Sequence, residues 1–258
     1  MTLKFAFTLS FLGVTWLTLA GPGPLSGLKP AHAAESMKCP DVLLKGGQGR
    51  VPLFSAIPLR DTPMARSWSQ LIATARQEFP SLHFEGPDDL HITLVYLGTG
   101  WPPEKLEEIS RLALVGPADG SWHSAARPEV FGKNGQVVVL KLDPAPQEWT
   151  DRLVAAKSRL NELGLKKPDS FDTAFNAHVT LARSLKPAEE AAEMQRFQKW
   201  ITDAASRTPE LQSLTLTPKE KPALLLSYQP GPDSPKYAPL LEFCSQAALC
   251  PLKFSEFR

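Results

Sequence analysis

The sequence has no long run of like charges, no simple repeat and no low-complexity segment. Its 258 residues include 28 Lys and Arg against 27 Asp and Glu, so the formal net charge is only +1. A protein that grips long nucleic acid by its backbone needs an excess of basic side chains. The balance therefore excludes an extended nucleic-acid surface, and it allows a small or terminal phosphate ligand that a few local groups hold.

Cysteine is scarce, with three residues near the two ends of the chain: Cys39, Cys244 and Cys250. No histidine lies beside any of them, which argues against a zinc site. In an oxidising compartment two of the three are expected to form a disulfide. Cys244 could close a short loop with Cys250, or Cys39 could join an N-terminal extension to the C-terminal tail. Either pairing leaves one thiol over.

The N-terminal apolar run is short for a membrane span. A lysine lies within residues 1–4, residues 5–20 are apolar and uncharged, and residues 21–33 end in Ala31-His32-Ala33. This order is typical of a secretory signal peptide cleaved after Ala33, with Ala20 as a second candidate. No cysteine lies directly after the run, so a lipid anchor is not indicated. We expect an exported protein, periplasmic or secreted, without stable membrane insertion after cleavage.

Strand and helix patterns alternate along the rest of the chain. Apolar residues at helical spacing predict helices, and short runs bounded by turn residues predict strands. Thr62 and Pro63 are a typical helix start, and Gly164 is a typical helix stop. The predicted strands are 51–58, 91–97, 128–131, 136–142, 177–182, 211–217 and 222–228, with a turn at 133–135. The predicted helices open near residues 63, 102 and 187, and one more covers 149–163.

The two halves of this pattern repeat weakly in order. Each half carries one apolar strand that follows a helix and precedes a helix opening on proline. We therefore expect two similar α+β lobes that face one cleft. The domain is predicted to cover 51–243, between an extension at 34–50 and a tail at 244–258.

The first of these strands contains His91-Ile92-Thr93-Leu94. Side chains two residues apart in a strand point to the same face. His91 and Thr93 therefore share one face, while Ile92 and Leu94 can pack on the core.

The second strand repeats the pattern as His178-Val179-Thr180-Leu181. If the two strands lie side by side, two imidazoles and two hydroxyls converge on one small volume. A single histidine in a strand is more often a packing residue than a catalyst. Two copies in comparable places indicate a site.

This set of groups suits the opening of a phosphodiester. Two histidines with near-neutral pKa values can act as base and acid. The hydroxyls of Thr93 and Thr180 can donate to the non-bridging phosphate oxygens. Arg183, three residues after Thr180, could add a charged contact to phosphate. The reaction needs no metal and no cofactor.

The paired pattern resembles the 2H phosphoesterase superfamily, and most closely its bacterial RNA 2′,3′-cyclic phosphodiesterases, also called 2′-5′ RNA ligases. The resemblance covers residues 51–243. It is carried by LFSAIPL, DDLHITLVYLG, VFGKNGQVVVLKL, AHVTLARS and ALLLSYQPGPDSPKYAPLLEF. The resemblance implies an α+β, bilobed fold in which two pseudo-symmetric lobes, with antiparallel sheets and outer helices, flank a central cleft.

The resemblance also implies metal-independent hydrolysis of a ribose 2′,3′-cyclic phosphate to a 2′-phosphate. His178 would then be the general base and His91 the general acid toward the 3′ oxygen. The substrate would be a small nucleotide or an RNA end, and the protein is expected to be a monomer. Ala177 departs from the family, which usually has proline before the second histidine. Few basic residues are available to hold RNA, and an export signal is unusual in the family.

Two other functions share these residues. One is an enzyme that cuts or joins 2′-5′ linkages, and the other is an exported, non-catalytic protein that binds nucleotides or sugar phosphates. Several aromatic residues could stack on a base at the rim of the cleft. Core packing is the alternative for each of them, above all for Phe54 and Phe131. The candidates are Phe54, Tyr96, Phe131, Phe175 and Tyr228.

Overall fold

The computed structural model describes residues 43–132, 135–229 and 235–240. The predicted signal peptide, the three cysteines and the tail at 244–258 lie outside the described residues. Residues 133–134 of the predicted hairpin turn also lie outside them. Within the described ranges no helix has both the length and the apolar character to cross a membrane.

The described residues form eleven strands and four α-helices. The strands are β1 (Leu44–Lys45), β2 (Gln48–Gly49), β3 (Leu53–Pro58), β4 (His83–Phe84), β5 (His91–Gly98), β6 (Trp122–Phe131), β7 (Val137–Leu142), β8 (His178–Arg183), β9 (Ser213–Leu216), β10 (Ala223–Ser227) and β11 (Tyr237–Pro239). The helices are α1 (Pro63–Glu78), α2 (Leu106–Ala113), α3 (Gln147–Glu162) and α4 (Pro187–Ser206). Short 3-10 helices lie at Pro87–Asp89, Pro103–Lys105 and Pro209–Leu211.

One large sheet carries the two motif strands at its centre. Its strand order is β11-β10-β3-β5-β8-β7-β6-β9, with β4 paired to β8, and all its pairings are antiparallel. The strands β11-β10-β3-β5 form one half and β8-β7-β6-β9 form the other. This confirms the predicted α+β class with antiparallel strands. The two halves are parts of a continuous sheet, which the sequence pattern did not predict.

The join between the halves is narrow. Among the described residues, a single pair, Ile92 in β5 and Val179 in β8, is in register between them. Both of these side chains are fully buried, so each motif strand is anchored from the core side. This anchoring leaves the opposite face of the two strands to the cleft.

Helix α1 forms where the sequence predicts a helix. The Thr62 hydroxyl accepts a hydrogen bond from the Ala65 amide at 3.3 Å, as an N-cap does. The apolar face of α1 is buried, and Trp68 packs against Phe84 of β4 and Phe197 of α4 at ring distances of 6.3 and 6.5 Å. This aromatic cluster ties two helices to the short strand that pairs with β8.

Strand β6 is longer than predicted. It begins at Trp122, six residues before the expected start at residue 128. The missed part alternates buried and exposed side chains, but its residues are mostly Ser, Ala, His and Arg, which have weak strand propensity. Pairing with β9, from Trp122 opposite Leu216 to Ala125 opposite Ser213, completes the strand. Tertiary pairing overrides local propensity here.

Candidate active site

The two motif strands lie side by side, as their repetition predicts. The antiparallel register through Ile92 and Val179 sets His91 across from Thr180 and Thr93 across from His178. Each histidine thus faces a threonine of the other strand. The site is a square of four polar side chains on one face of the sheet, and all four residues are partly exposed.

Strand β5 is interrupted directly after its threonine. Thr93 pairs with Ala56 and Val95 pairs with Ser55, so Leu94 is an extra residue without a partner on β3. This is a β-bulge, and it shifts the alternation of the following side chains by one position. Leu94 and Val95 are consequently both buried.

Strand β8 contains the same interruption at the same place in its motif. Thr180 pairs with Val139 and Ala182 pairs with Val138, so Leu181 is the extra residue. Leu181 and Ala182 are both fully buried. The two motif strands therefore share a bulge as well as a sequence pattern.

The bulges return the fifth residue after each histidine to the cleft face. Tyr96 follows His91 by five residues and lines a cavity together with His178. Arg183 follows His178 by five residues, and its guanidinium reaches Tyr237, whose ring lies against His91. Strict alternation would have directed both side chains to the opposite face.

Both histidines are held in the same tautomer by the same local contact. His91 Nδ1–H donates to the carbonyl of Asp89 at 2.7 Å, and His178 Nδ1–H donates to the carbonyl of Asn176 at 2.8 Å. A carbonyl can only accept, so Nδ1 carries the proton in each ring. The Nε2 atom of each neutral imidazole is therefore available to take a proton.

Aromatic rings support each imidazole. Phe54 and Tyr237 lie beside His91 at ring distances of 5.1 and 4.7 Å. Phe131 stacks on His178 at 5.0 Å, with 29° between the ring planes. Phe54 is only 4% exposed, which favours the core-packing alternative over stacking on a base. The Phe54 ring is covered because it packs against His91.

Burial lowers the pKa of both histidines. For His91 this effect is opposed by the hydrogen bond to Asp89 and by the nearby Glu85 carboxylate. For His178 it is opposed by the hydrogen bond to Asn176. The unliganded site therefore favours the neutral form of both rings. A bound anion would offset the cost of burying a protonated imidazole, and would therefore raise the pKa of the histidine beside it.

A buried carboxylate organises the charged groups next to His91. Glu85 is 1% exposed, and its two oxygens bind Arg183 Nη2 and Lys236 Nζ, the latter at 3.2 Å. Arg183 Nη2 also donates to the Tyr237 hydroxyl at 3.1 Å. The predicted contact of Arg183 with phosphate would therefore fall to Nη1, because Nη2 is already engaged and Nε is buried.

Tyr237 stays protonated beside this group. Burial, with a smaller contribution from Glu85, raises the pKa of its hydroxyl to about 12. The hydroxyl accepts from Arg183. Its own proton can therefore be donated to a ligand oxygen near His91.

A cavity of about 430 Å³ lies beside His178 and Thr93. We call it the aromatic pocket, since four rings line it: Tyr96, Phe131, Phe171 and Phe175. Tyr96 and Phe171 are 52% and 60% exposed. Among the sequence candidates, Tyr96, Phe131 and Phe175 are thus placed at the site. Phe171 was missed because it lies in a polar loop without a periodic pattern.

Two buried lysines hold the loop that forms one wall of the aromatic pocket. Lys157 Nζ donates to the carbonyls of Phe171 and Ala174, both at 2.8 Å. Lys166 Nζ pairs with Asp169 at 2.9 Å and Asp172 at 2.6 Å. These bonds fix the loop backbone, so the wall is built before any ligand arrives.

A second cavity, of about 320 Å³, lies beyond Arg183 on the other side of the histidine pair. We call it the cationic pocket, because Arg183 and Lys236 line it with His83, Glu85 and Tyr237. In the part of the chain that the structure describes, no group of three or more His, Cys, Asp or Glu side chains could hold a metal ion.

Comparison with known proteins gives structural likeness only. No protein-family model matches the chain, and no curated protein matches it. The chain is similar to the crystal structure of TT0787 of Thermus thermophilus, with 20% identity and a TM-score of 0.49. It is also similar to E. coli LigT complexed with NADP+, with 20% identity and a TM-score of 0.45. Each match covers 73% of this chain and 94% of the other.

A more distant likeness is to Kluyveromyces marxianus Usb1. The identity is 12% and the TM-score is 0.39. The match covers 68% of this chain and 93% of that one.

Proposed function

We propose that this chain is a 2H phosphoesterase that opens ribose 2′,3′-cyclic phosphates without a metal ion and leaves a 2′-phosphate. The observation that carries the proposal is the pairing of two His-x-Thr strands, so that each histidine faces the threonine of the other strand. Both imidazoles present Nε2 in the same way. A site that only binds phosphate would not need two such bases.

The proposed reaction is an in-line displacement at phosphorus. His178 Nε2 takes a proton from water as the water oxygen forms a bond to phosphorus. The bond from phosphorus to O3′ breaks, and His91, protonated at Nε2, gives its proton to O3′. The product is a 2′-phosphate monoester with a free 3′ hydroxyl. Afterwards His178 is protonated and His91 is neutral, so exchange with solvent restores the starting state.

The threonines would bind the two non-bridging oxygens. Negative charge grows on these oxygens as water attacks, and hydroxyl donors fixed on a rigid strand need little rearrangement to stabilise it. Thr93 and Thr180 lie on the two central strands of the sheet, each next to a bulge that is locked by a buried leucine. Arg183 and Tyr237 would add donors on the His91 side.

Export also remains part of the proposal. The N-terminal pattern would place the enzyme in the periplasm or outside the cell, acting as a monomer on cyclic nucleotides or RNA ends present there. No cofactor enters the mechanism.

A substrate panel tests the proposed function. The protein is incubated with EDTA and either adenosine 2′,3′-cyclic phosphate or a 2′-5′-linked diadenosine, and products are separated by chromatography. We expect turnover of the cyclic phosphate. Turnover of the 2′-5′ dinucleotide alone would identify the related linkage-cutting enzyme. Thermal stabilisation by both compounds without turnover of either would identify a binding protein.

A further inference from the structure

The two pockets flank the square of catalytic groups at opposite ends. Thr93 and His178 line the aromatic pocket. In the other row, His91 adjoins the cationic pocket through Tyr237, whose ring lies 4.7 Å from that of His91. Strand β8 runs from one pocket to the other, because its first residue, His178, lines the aromatic pocket and its last, Arg183, lines the cationic pocket. The cleft therefore has an apolar end and a charged end.

The charged end is built to face an anion. Glu85 is buried, and it binds a different cation with each oxygen. The side chains of those cations, Arg183 and Lys236, remain 42% and 38% exposed. A single carboxylate thus holds two cations next to each other and turns them toward the cavity, although they would otherwise repel. Lys236 is further fixed by its backbone amide, which donates to Asp89 at 2.6 Å.

The connectivity of ribose matches this polarity. The base is attached next to the carbon that carries O2′, and the 5′ carbon is attached next to the carbon that carries O3′. When a 2′,3′-cyclic phosphate occupies the square, a base in the aromatic pocket places O2′ on the His178 side. O3′ then lies on the His91 side, and a 5′ substituent extends toward the cationic pocket.

We propose that the cationic pocket binds the 5′-phosphate of the same nucleotide, so that the preferred substrates are 5′-phosphorylated nucleoside 2′,3′-cyclic phosphates, including the last nucleotide of an RNA. This inference rests on the proposed function. It also explains the direction of cleavage, since the two pockets orient the ribose with O3′ at the proton donor.

Kinetics with two substrates test the proposal. Adenosine 2′,3′-cyclic phosphate is compared with its 5′-phosphorylated form. The 5′-phosphate is expected to raise kcat/KM about tenfold, the usual scale for a charge-assisted contact. The ratio should fall toward one in Lys236→Met and as sodium chloride is added. Lys219→Met, which removes an exposed lysine elsewhere on the surface, should keep the wild-type ratio.

Two results would overturn the assignment. One is an equal kcat/KM for both substrates in the wild-type protein at low salt. The other is a 5′-phosphate advantage that Lys236→Met retains in full. The wild-type comparison and its salt dependence remain decisive even where Lys236→Met does not fold.

A binding measurement separates this proposal from the proposed function. Calorimetry compares adenosine 2′,5′-bisphosphate with adenosine 2′-monophosphate, neither of which requires turnover. Tighter binding of the bisphosphate by about tenfold supports the phosphate subsite even in a protein that hydrolyses nothing. Equal affinities would refute the subsite while leaving cyclic-phosphate hydrolysis to be judged by its own assay.

Discussion

His91 donates its Nδ1 proton to the carbonyl of Asp89, two residues before it, and this contact directs its Nε2 atom away from the backbone. His178 and Asn176 repeat the relationship in the other motif strand. The symmetry of the two contacts means that either imidazole can accept or release a proton at Nε2. The catalytic division of labour then depends on how the substrate lies between them.

Replacement of either motif histidine should abolish turnover. We expect His91→Ala and His178→Ala each to lower kcat by roughly a thousandfold or more, because each removes one proton-transfer partner. His123→Ala is the matched control, since His123 is an exposed strand histidine that contacts Thr215. Circular dichroism establishes that each variant is folded. A folded motif variant with near-wild-type turnover would contradict the mechanism.

The pH dependence of kcat/KM should form a bell centred below the ordinary histidine pKa of about 6.5. One histidine must be neutral and the other protonated in the free enzyme, and burial lowers the pKa of both. Activity should rise with pH as the base loses its proton and fall as the acid loses its own.

The bell for kcat should extend to higher pH than the bell for kcat/KM. The cyclic phosphate carries a negative charge that favours the protonated imidazole in the complex. Both profiles are measured with adenosine 2′,3′-cyclic phosphate between about pH 4.5 and 8.5. A kcat/KM maximum on the alkaline side of neutrality would be incompatible with two acid-shifted histidines.

Removal of one threonine hydroxyl should lower kcat more than it changes KM. Thr93→Val and Thr180→Val keep the side-chain shape but lose a donor whose importance grows in the transition state. We expect a loss of about a hundredfold in kcat for each. Thr215→Val, on the distant strand β9, supplies the control and should leave kcat unchanged. A tenfold rise in KM with constant kcat would indicate ordinary substrate binding instead.

Glu85→Gln should destabilise the fold by about 2 kcal/mol. The change removes the negative charge that lies between Arg183 and Lys236, although water can solvate these half-exposed cations in part. Glu129→Gln breaks the exposed pair with Lys141, which should cost less than about 1 kcal/mol. Urea denaturation compares the two free energies of unfolding. Equal losses of unfolding free energy in the two variants would show that Glu85 does not hold Arg183 and Lys236 in place.

The sequence predicts the centre of this molecule well. The two motif strands, the helix capped by Thr62 and the α+β class follow from local patterns of two and 3.6 residues. The antiparallel arrangement of the sheet is expected only from the family resemblance. The repetition of the motif indicates one shared site if the two strands are neighbours, and the pairing of Ile92 with Val179 in the sheet makes them neighbours.

The features of the site that the sequence does not predict depend on contacts between residues that are far apart in the chain. Leu94 and Leu181 are apolar whether or not they bulge, so the shift that brings Arg183 to the cleft leaves no trace in the pattern. Glu85 meets Arg183 across 98 residues. Phe171 lies in the aromatic pocket on a loop that two buried lysines, Lys157 and Lys166, hold in place.

The most direct test of the central claim is the position of the phosphate in the product. The protein is given adenosine 2′,3′-cyclic phosphate in the presence of EDTA, and the product is identified by phosphorus NMR. The account predicts adenosine 2′-phosphate from the wild-type protein and none from His91→Ala or His178→Ala. Formation of the 3′-phosphate would contradict the orientation that places O3′ at His91, and the absence of any product from the wild-type protein would contradict the two-histidine mechanism itself.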